Sequence, residues 1–409
     1  GLIPSADLQS IADSFLWRFA PAAESRGQIL HIPYRKPIER FFHVFFGNFF
    51  RGVFSAGNAE LLTIAGNRTE CGSMKKFALS LCAAAAVCCA PADEVFSPAP
   101  EDVKILGTEG DLAKVLKRDI GFGEGALYRP STGEVFFSDQ PKNMICRWTE
   151  KDGFSVFMRP AGYTGAKGQM DKAIDFGPNA IALDGNENLV FCQQGHRRIA
   201  RIDEKRFEVE VLADSYNGKK LNNTNDLCVL KDGSIFFTAP GFWHKRRAPE
   251  ADELDFSGIY KITPKGETVL IDGSLPQPNG IDFSPDEKFM YVSQSGNGEQ
   301  CWFVYELDET KTKVVSKRVF CSLKKWTGKV RGAPDGMAIG RDGWIYATGN
   351  GGVHLFSPDL KHRGLVKIEN QVANCCIITD GETEKSLFVV GPKGAYTIDM
   401  RRLKSLARD

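Results

Sequence analysis

Six oxygen-bearing side chains recur at one phase of the sequence. They are Glu124 in Glu-Gly-Ala-Leu-Tyr, Asn179 in Asn-Ala-Ile-Ala-Leu, Asn225 in Asn-Asp-Leu-Cys-Val, Asn279 in Asn-Gly-Ile-Asp-Phe, Asp335 in Asp-Gly-Met-Ala-Ile and Asn374 in Asn-Cys-Cys-Ile-Ile. Each opens a short, mostly apolar run; the last five precede a turn by five to seven residues and Glu124 by nine. Two are carboxylates, four are amides, and none is Lys, Arg or His. Oxygen donors with two negative charges suit a hard divalent cation, Ca²⁺ first and Mg²⁺ second, whereas Zn²⁺ normally takes His or Cys. Taken singly, an Asn or Asp at such a place reads as a turn cap. The chemistry lies in the set.

Six equivalent side chains meet only if the chain brings equivalent strands around one axis. A repeat of the required kind runs from about residue 121. A turn, usually Asp-Gly, is followed by a β-branched or aromatic strand: Gly133 before Val135-Phe136-Phe137, Asp184-Gly185 before Leu189-Val190-Phe191, Asp232-Gly233 before Ile235-Phe236-Phe237. It returns at Pro285-Asp286 before Phe289–Val292, at Asp342-Gly343 before Trp344-Ile345-Tyr346, and at Asp380-Gly381 before Leu387–Val390. Six copies at roughly 40–55-residue spacing fit blades of four short strands. The reading is an all-β fold, a six-bladed β-propeller with a central metal-binding channel, over 121–400; a sandwich or barrel shares the turn density but not the period. Residues 93–120 are an N-terminal approach segment, in which Lys104–Lys117 holds a short helix or an approach strand, and 401–409 form a C-terminal tail.

Formal net charge is +1, with 42% hydrophobic and 25% charged residues. That balance provides no basic face for nucleic acid and no acidic tail, and points to a small, weakly charged substrate. Cys71, Cys82, Cys88 and Cys89 precede the repeats. The other seven, Cys146, Cys192, Cys228, Cys301, Cys321, Cys375 and Cys376, match no zinc spacing and sit in strand-like runs as small hydrophobes.

Met74-Lys75-Lys76, the apolar run Phe77–Ala90 and Ala90-Pro91-Ala92 have the order of a secretion signal. Residues 74–92 are therefore expected to be cleaved after Ala92, leaving a secreted or periplasmic protein with no stable membrane insertion; an ordinary Ala-rich helix is the alternative. Residues 1–73 are read as an upstream artefact or leader outside the fold, with the aromatic cluster Phe41–Phe50 leaving a membrane-interactive leader open.

Further stretches add to the six. They include Gly123-Glu124-Gly125, Phe137-Ser138-Asp139, Gly195-His196-Arg197-Arg198-Ile199, Asn222-Asn223-Thr224-Asn225-Asp226, Phe236-Phe237-Thr238, Pro278-Asn279-Gly280, Pro334-Asp335-Gly336-Met337-Ala338 and Gly351-Gly352-Val353. In these the chain resembles the SMP-30/gluconolactonase/LRE-like family, with regucalcin and the diisopropylfluorophosphatase-like propellers, over about 105–400. The resemblance implies one divalent cation (Ca²⁺, with Mg²⁺, Zn²⁺ or Mn²⁺ as other candidates) held by Glu124, Asn225, Asn279 and Asp335. Asn179 and Asn374 then line the channel. It also implies a hydrolase of carboxylic ester bonds, gluconolactonase-like, opening aldonolactones to hydroxy acids. Bacterial members often read Thr-Asp-Pro where this chain has Thr238-Ala239-Pro240, which bears on the substrate rim.

The expected mechanism has the cation polarise the lactone carbonyl while water attacks, with Asp335 as catalytic base as well as ligand; metal-bound hydroxide is the rival nucleophile. Candidate substrate-binding residues are Asn179, His196, Asn222 and Thr224. His196 has a structural alternative beside Arg197 and Arg198, and Phe242, Trp243 and His244 form either a sugar-stacking wall or an ordinary loop. Competing functions are another metal-dependent ester or organophosphate hydrolase on the same site, or a non-catalytic sugar-binding propeller. A strictosidine-synthase-like propeller lacks this donor set.

Overall fold

The paired aromatics of the repeat explain the layering. In a strand, neighbours point to opposite faces, so Val-Phe-Phe and Ile-Phe-Phe runs bury both faces of a sheet. Phe136 and Phe137 do this, entering different apolar clusters, as do Phe236 and Phe237. A sheet apolar on both faces needs a neighbour on each side, and a closed ring of sheets supplies one to every blade.

The structure is a computed structural model that describes residues 95–165, 177–241, 254–296 and 299–408. It is a six-bladed β-propeller. Two strands come first, β1 (Ile105–Thr108) and β2 (Ala113–Lys117). Blade one is β3 (Gly123–Arg129), β4 (Glu134–Asp139), β5 (Met144–Thr149) and β6 (Gly153–Met158). Blade two is β7 (Ile181–Leu183), β8 (Leu189–Gln193), β9 (Arg198–Asp203) and β10 (Glu208–Ala213), followed by a small hairpin, β11 (Ser215–Tyr216) and β12 (Lys219–Lys220). Blade three is β13 (Leu227–Val229), β14 (Ile235–Ala239), β15 (Gly258–Ile262) and β16 (Thr268–Asp272). Blade four is β17 (Pro278–Phe283), β18 (Phe289–Gln294), β19 (Cys301–Leu307) and β20 (Val314–Ser322). Blade five is β21 (Met337–Ile339), β22 (Ile345–Gly349), β23 (Gly352–Phe356) and β24 (His362–Lys367), and blade six is β25 (Asn374–Asp380), β26 (Thr383–Gly391) and β27 (Gly394–Asp399).

The first strand of each blade is the innermost. These six touch in order around the axis, β3 on β7, β7 on β13, and so on until β25 meets β3 again. Six buried apolar clusters fill the spaces between successive blades. At about 1.5–3 kcal/mol per large side chain buried, these clusters are the main stabilising term.

The segment expected only to approach the propeller completes it. β2 pairs antiparallel with β27, Ala113 opposite Ile398, as the outer strand of blade six, and β1 adds to β24 in blade five. The short link Glu109–Leu112 carries no Asp-Gly signal, and the two strands serve different blades, so neither reads as part of a repeat. The C-terminal tail is helical, α1 (Met400–Arg408), with Met400, Leu403 and Ala407 buried at helical spacing on blades five and six. Lys404 fixes it through Asp342 (2.7 Å) and Glu384 (2.6 Å).

All seven described cysteines are free thiols, buried except for the half-buried Cys228. The 1–73 and 74–92 readings and the Phe242–His244 wall lie outside the described residues.

Candidate functional site

Every member of the six-residue set stands at or just before the start of an inner strand, at one end of the channel. All are buried: Glu124, Asn179, Asn225, Asn279, Asp335 and Asn374 are between 2% and 8% exposed. Main-chain bonds join neighbours directly, Ala180 N to Asn225 O at 3.1 Å and Gly336 N to Ala373 O at 2.7 Å. Glycine makes this approach feasible. A Cβ on Gly125, which adopts φ +58°, would lie 2.3 Å from Asn179 O, and one on Gly280 would lie 2.2 Å from Asp335 O.

The side chains also meet. The Asn374 amide favours the ionised form of Glu124, and the Asn279 amide that of Asp335, so each acid has an amide beside it. Burial pushes Glu124 well above the usual carboxylate range, helped by Asp335 and Asp226; burial and then Asp226 do the same for Asp335. Asp335 Oδ1 is buried without any hydrogen-bond partner. Below the ring lies Asp226, whose Oδ1 accepts Leu227 N at 2.8 Å and whose Oδ2 accepts Ile281 N at 3.3 Å on the next blade. Burial raises it to about 7, and desolvation raises the half-buried Asp282, on the inner strand of the next blade, also to about 7.

Buried carboxylates without a cation are costly. The two acids and the amides beside them, with an orphaned carboxylate oxygen, make a donor set that fits a hard divalent cation. Among the described residues, no three His, Cys, Asp or Glu side chains gather in metal-binding geometry, so amides must complete such a site.

The candidate substrate residues divide. Asn179 is in the ring. Asn222 Nδ2 donates to Phe256 O at 2.7 Å, and Thr224 Oγ1 donates to Arg198 O at 3.1 Å, so both hold neighbouring main chain. Between them sits Asn223, 1% exposed, with neither Oδ1 nor Nδ2 partnered. His196 Nε2 accepts Thr164 N at 3.1 Å and lies 2.8 Å from Thr164 Oγ1, with its ring 5.0 Å from that of Tyr163. It ties Tyr163 and Thr164, just past blade one, to blade two.

Sequence reasoning assigned no role to four buried hydroxyls on the second strands: Ser138, Thr238, Ser293 and Thr348. Each bonds the main chain of a ring residue or its neighbour.

A six-bladed propeller with a ring of acids and amides at one end of its axis is a recurring class of protein. Residues 122–391 match the SMP-30/gluconolactonase/LRE-like region, and the chain belongs to that family. It is 30% identical to a gluconolactonase of Zymomonas mobilis over 72% of this chain and 82% of that protein. It is 24% identical to a lactonohydrolase of Aspergillus oryzae over 67% of each. The solved gluconolactonase of Xanthomonas campestris superposes with a TM-score of 0.59 at 27% identity, covering 70% of this chain and 89% of that one.

Proposed function

We propose that this chain is a divalent-cation-dependent lactonase that hydrolyses aldonolactones to hydroxy acids. The observation that carries it is the pairing of two buried carboxylates, Glu124 and Asp335, in a ring that holds amides and no cationic side chain. The kinship with a gluconolactonase and a lactonohydrolase supports the substrate class.

Glu124, Asn225, Asn279 and Asp335 would hold the cation. When bound, it supplies Lewis-acid polarisation of the lactone carbonyl and neutralises the two acids. The chain's own residues do the rest. Asp335 accepts the proton of the attacking water, with the Asn279 amide beside its carboxylate. The water oxygen bonds to the carbonyl carbon, the ring C–O bond breaks, and the proton passes to the departing alkoxide oxygen. Asn374 favours the ionised form of Glu124, the state that holds a cation.

The test is gluconolactone hydrolysis by chelated protein, with Ca²⁺, Mg²⁺, Zn²⁺ and Mn²⁺ added back separately. Chelation should abolish activity and at least one ion should restore it; activity untouched by chelation, or absent with every ion, overturns the reading. Export is part of the same proposal, supported by the order of features in residues 74–92. A mature N-terminus at Asp93 in the exported fraction would bear it out, and retention of the 74–92 segment would remove it.

A further inference from the structure

The six second strands each place one fully buried side chain beside the ring. Ser138 faces Glu124 in the β3–β4 ladder. Asn225 N bonds Thr238 O at 2.9 Å, and Asp335 N bonds Thr348 O at 3.0 Å. Gly280 N, next to Asn279, donates to Ser293 Oγ at 2.7 Å. In the other two blades the same place holds Cys192, whose carbonyl takes Asn179 N at 2.9 Å, and Val390, opposite Asn374. All six are 0% exposed. Hydroxyls thus stand in the four blades that carry Glu124, Asn225, Asn279 and Asp335, and a thiol and an isopropyl group in the two that do not.

Three of the hydroxyls bridge blades, and Ser293 joins the first two strands of blade four. Ser138 Oγ donates to Asn179 O at 2.6 Å, from blade one to blade two. Thr238 Oγ1 donates to Asn279 O at 2.7 Å while accepting Asp226 N at 3.1 Å, which ties the strand of one proposed ligand to that of the next. Thr348 Oγ1 lies 2.8 Å from both Gly336 O and Ala373 O, linking the Asp335 strand to the Asn374 strand. The apolar clusters between blades are non-directional, so the height of one blade against the next is set by directional bonds, the main-chain bonds above and these hydroxyls. A short hydroxyl bond has a required distance and angle, and a cation site needs its donors held to within about half an ångström.

We propose that Ser138, Thr238, Ser293 and Thr348 are positioning residues that set the spacing of the four oxygen donors and so the cation affinity of the channel. This rests on the cation reading above. The experiment is calorimetric titration of the full chain with whichever of Ca²⁺, Mg²⁺, Zn²⁺ and Mn²⁺ the unsubstituted protein binds most tightly. Thr238→Val and Thr348→Val should weaken binding about 10–100-fold, the usual range for groups that orient metal ligands, and Thr238→Ser should restore it to within about threefold. Cys192→Ala, equally buried but in a blade without a proposed ligand, should lower the unfolding temperature and leave the affinity unchanged. Folded Thr→Val variants that bind as tightly as the parent overturn the proposal; where they do not fold, Ser138→Ala provides the same reading in a milder form. A parent protein that binds none of the four ions defeats the cation reading itself, a different failure from a parent that binds and variants that bind alike.

Discussion

Two buried polar regions of this propeller behave oppositely toward protons. In blade five, His354 Nδ1 lies 2.9 Å from His362 Nε2, and His354 Nε2 lies 3.0 Å from Asn350 O, under Trp302, Trp326 and Phe356. Burial holds His354 down at about 4, and burial with its neighbour holds His362 at about 3. In the channel, burial instead raises Asp226 and Asp282 to about 7 and lifts Glu124 and Asp335 well up. The histidine nitrogens that touch are matched to each other and to a carbonyl; the channel acids share a space with one another, and one oxygen has nothing to bond. A matched buried pair is architecture. An unmatched one marks the place where something else must bind.

The signs follow from proton counting. An unfolded histidine takes up a proton near pH 6.5 and the folded pair does not, so the pair costs stability as pH falls from about 6.5 toward 3. An unfolded carboxylate loses its proton near pH 4 and the folded channel acids resist, so the cation-free channel costs stability as pH rises from about 4 to 7.

The largest expected effect is on the unmatched side. Asp335→Asn should lower the rate per bound cation by about 10²–10⁴-fold, the range for a lost general base. An unchanged rate per bound cation would leave Asp335 as a ligand only. Next comes the unfolding temperature between pH 4 and 7, measured with chelator and with saturating cation. Saturating cation should raise it most at pH 7, where the channel acids are most costly; equal gains at both ends would break the contrast. Third, His362→Phe should flatten the acid-side loss and cost about 1–3 kcal/mol by leaving His354 Nδ1 unmatched, with lactonase activity at pH 7 unchanged. An unaltered acid limb would show that the pair does not set it. The smallest effect is Arg341→Ala, which removes an exposed pair with Glu382 and should change stability by at most about 1 kcal/mol with no change of pH slope.

The regular part of the fold was legible because each Asp-Gly turn and double-aromatic strand carries its own local signal, and the ring was legible as a phase of that repeat. The seam was not. β1 and β2 take their meaning from partners at the far end of the chain, and α1 is too short for its three buried positions to stand out. The site's outer shell was hidden for another reason. A serine or threonine in a strand is unremarkable until its neighbour in the next blade is known, and the main-chain partners of Asn222 and Thr224 lie on other segments of the chain. Asn223 became visible only as an amide with nothing to bond.

The seam also sets an order of events. β2 can complete blade six only after β27 exists, and α1 locks the joint after that. During synthesis, blades one to four can form from local hairpins, but the last inter-blade space stays unsealed until β25, β26 and β27 follow. Contacts so distant in sequence are slow to form. The ring of donors would therefore be closed last, when β2 meets β27, and a chain trimmed before β27 would hold most of the propeller yet no finished channel.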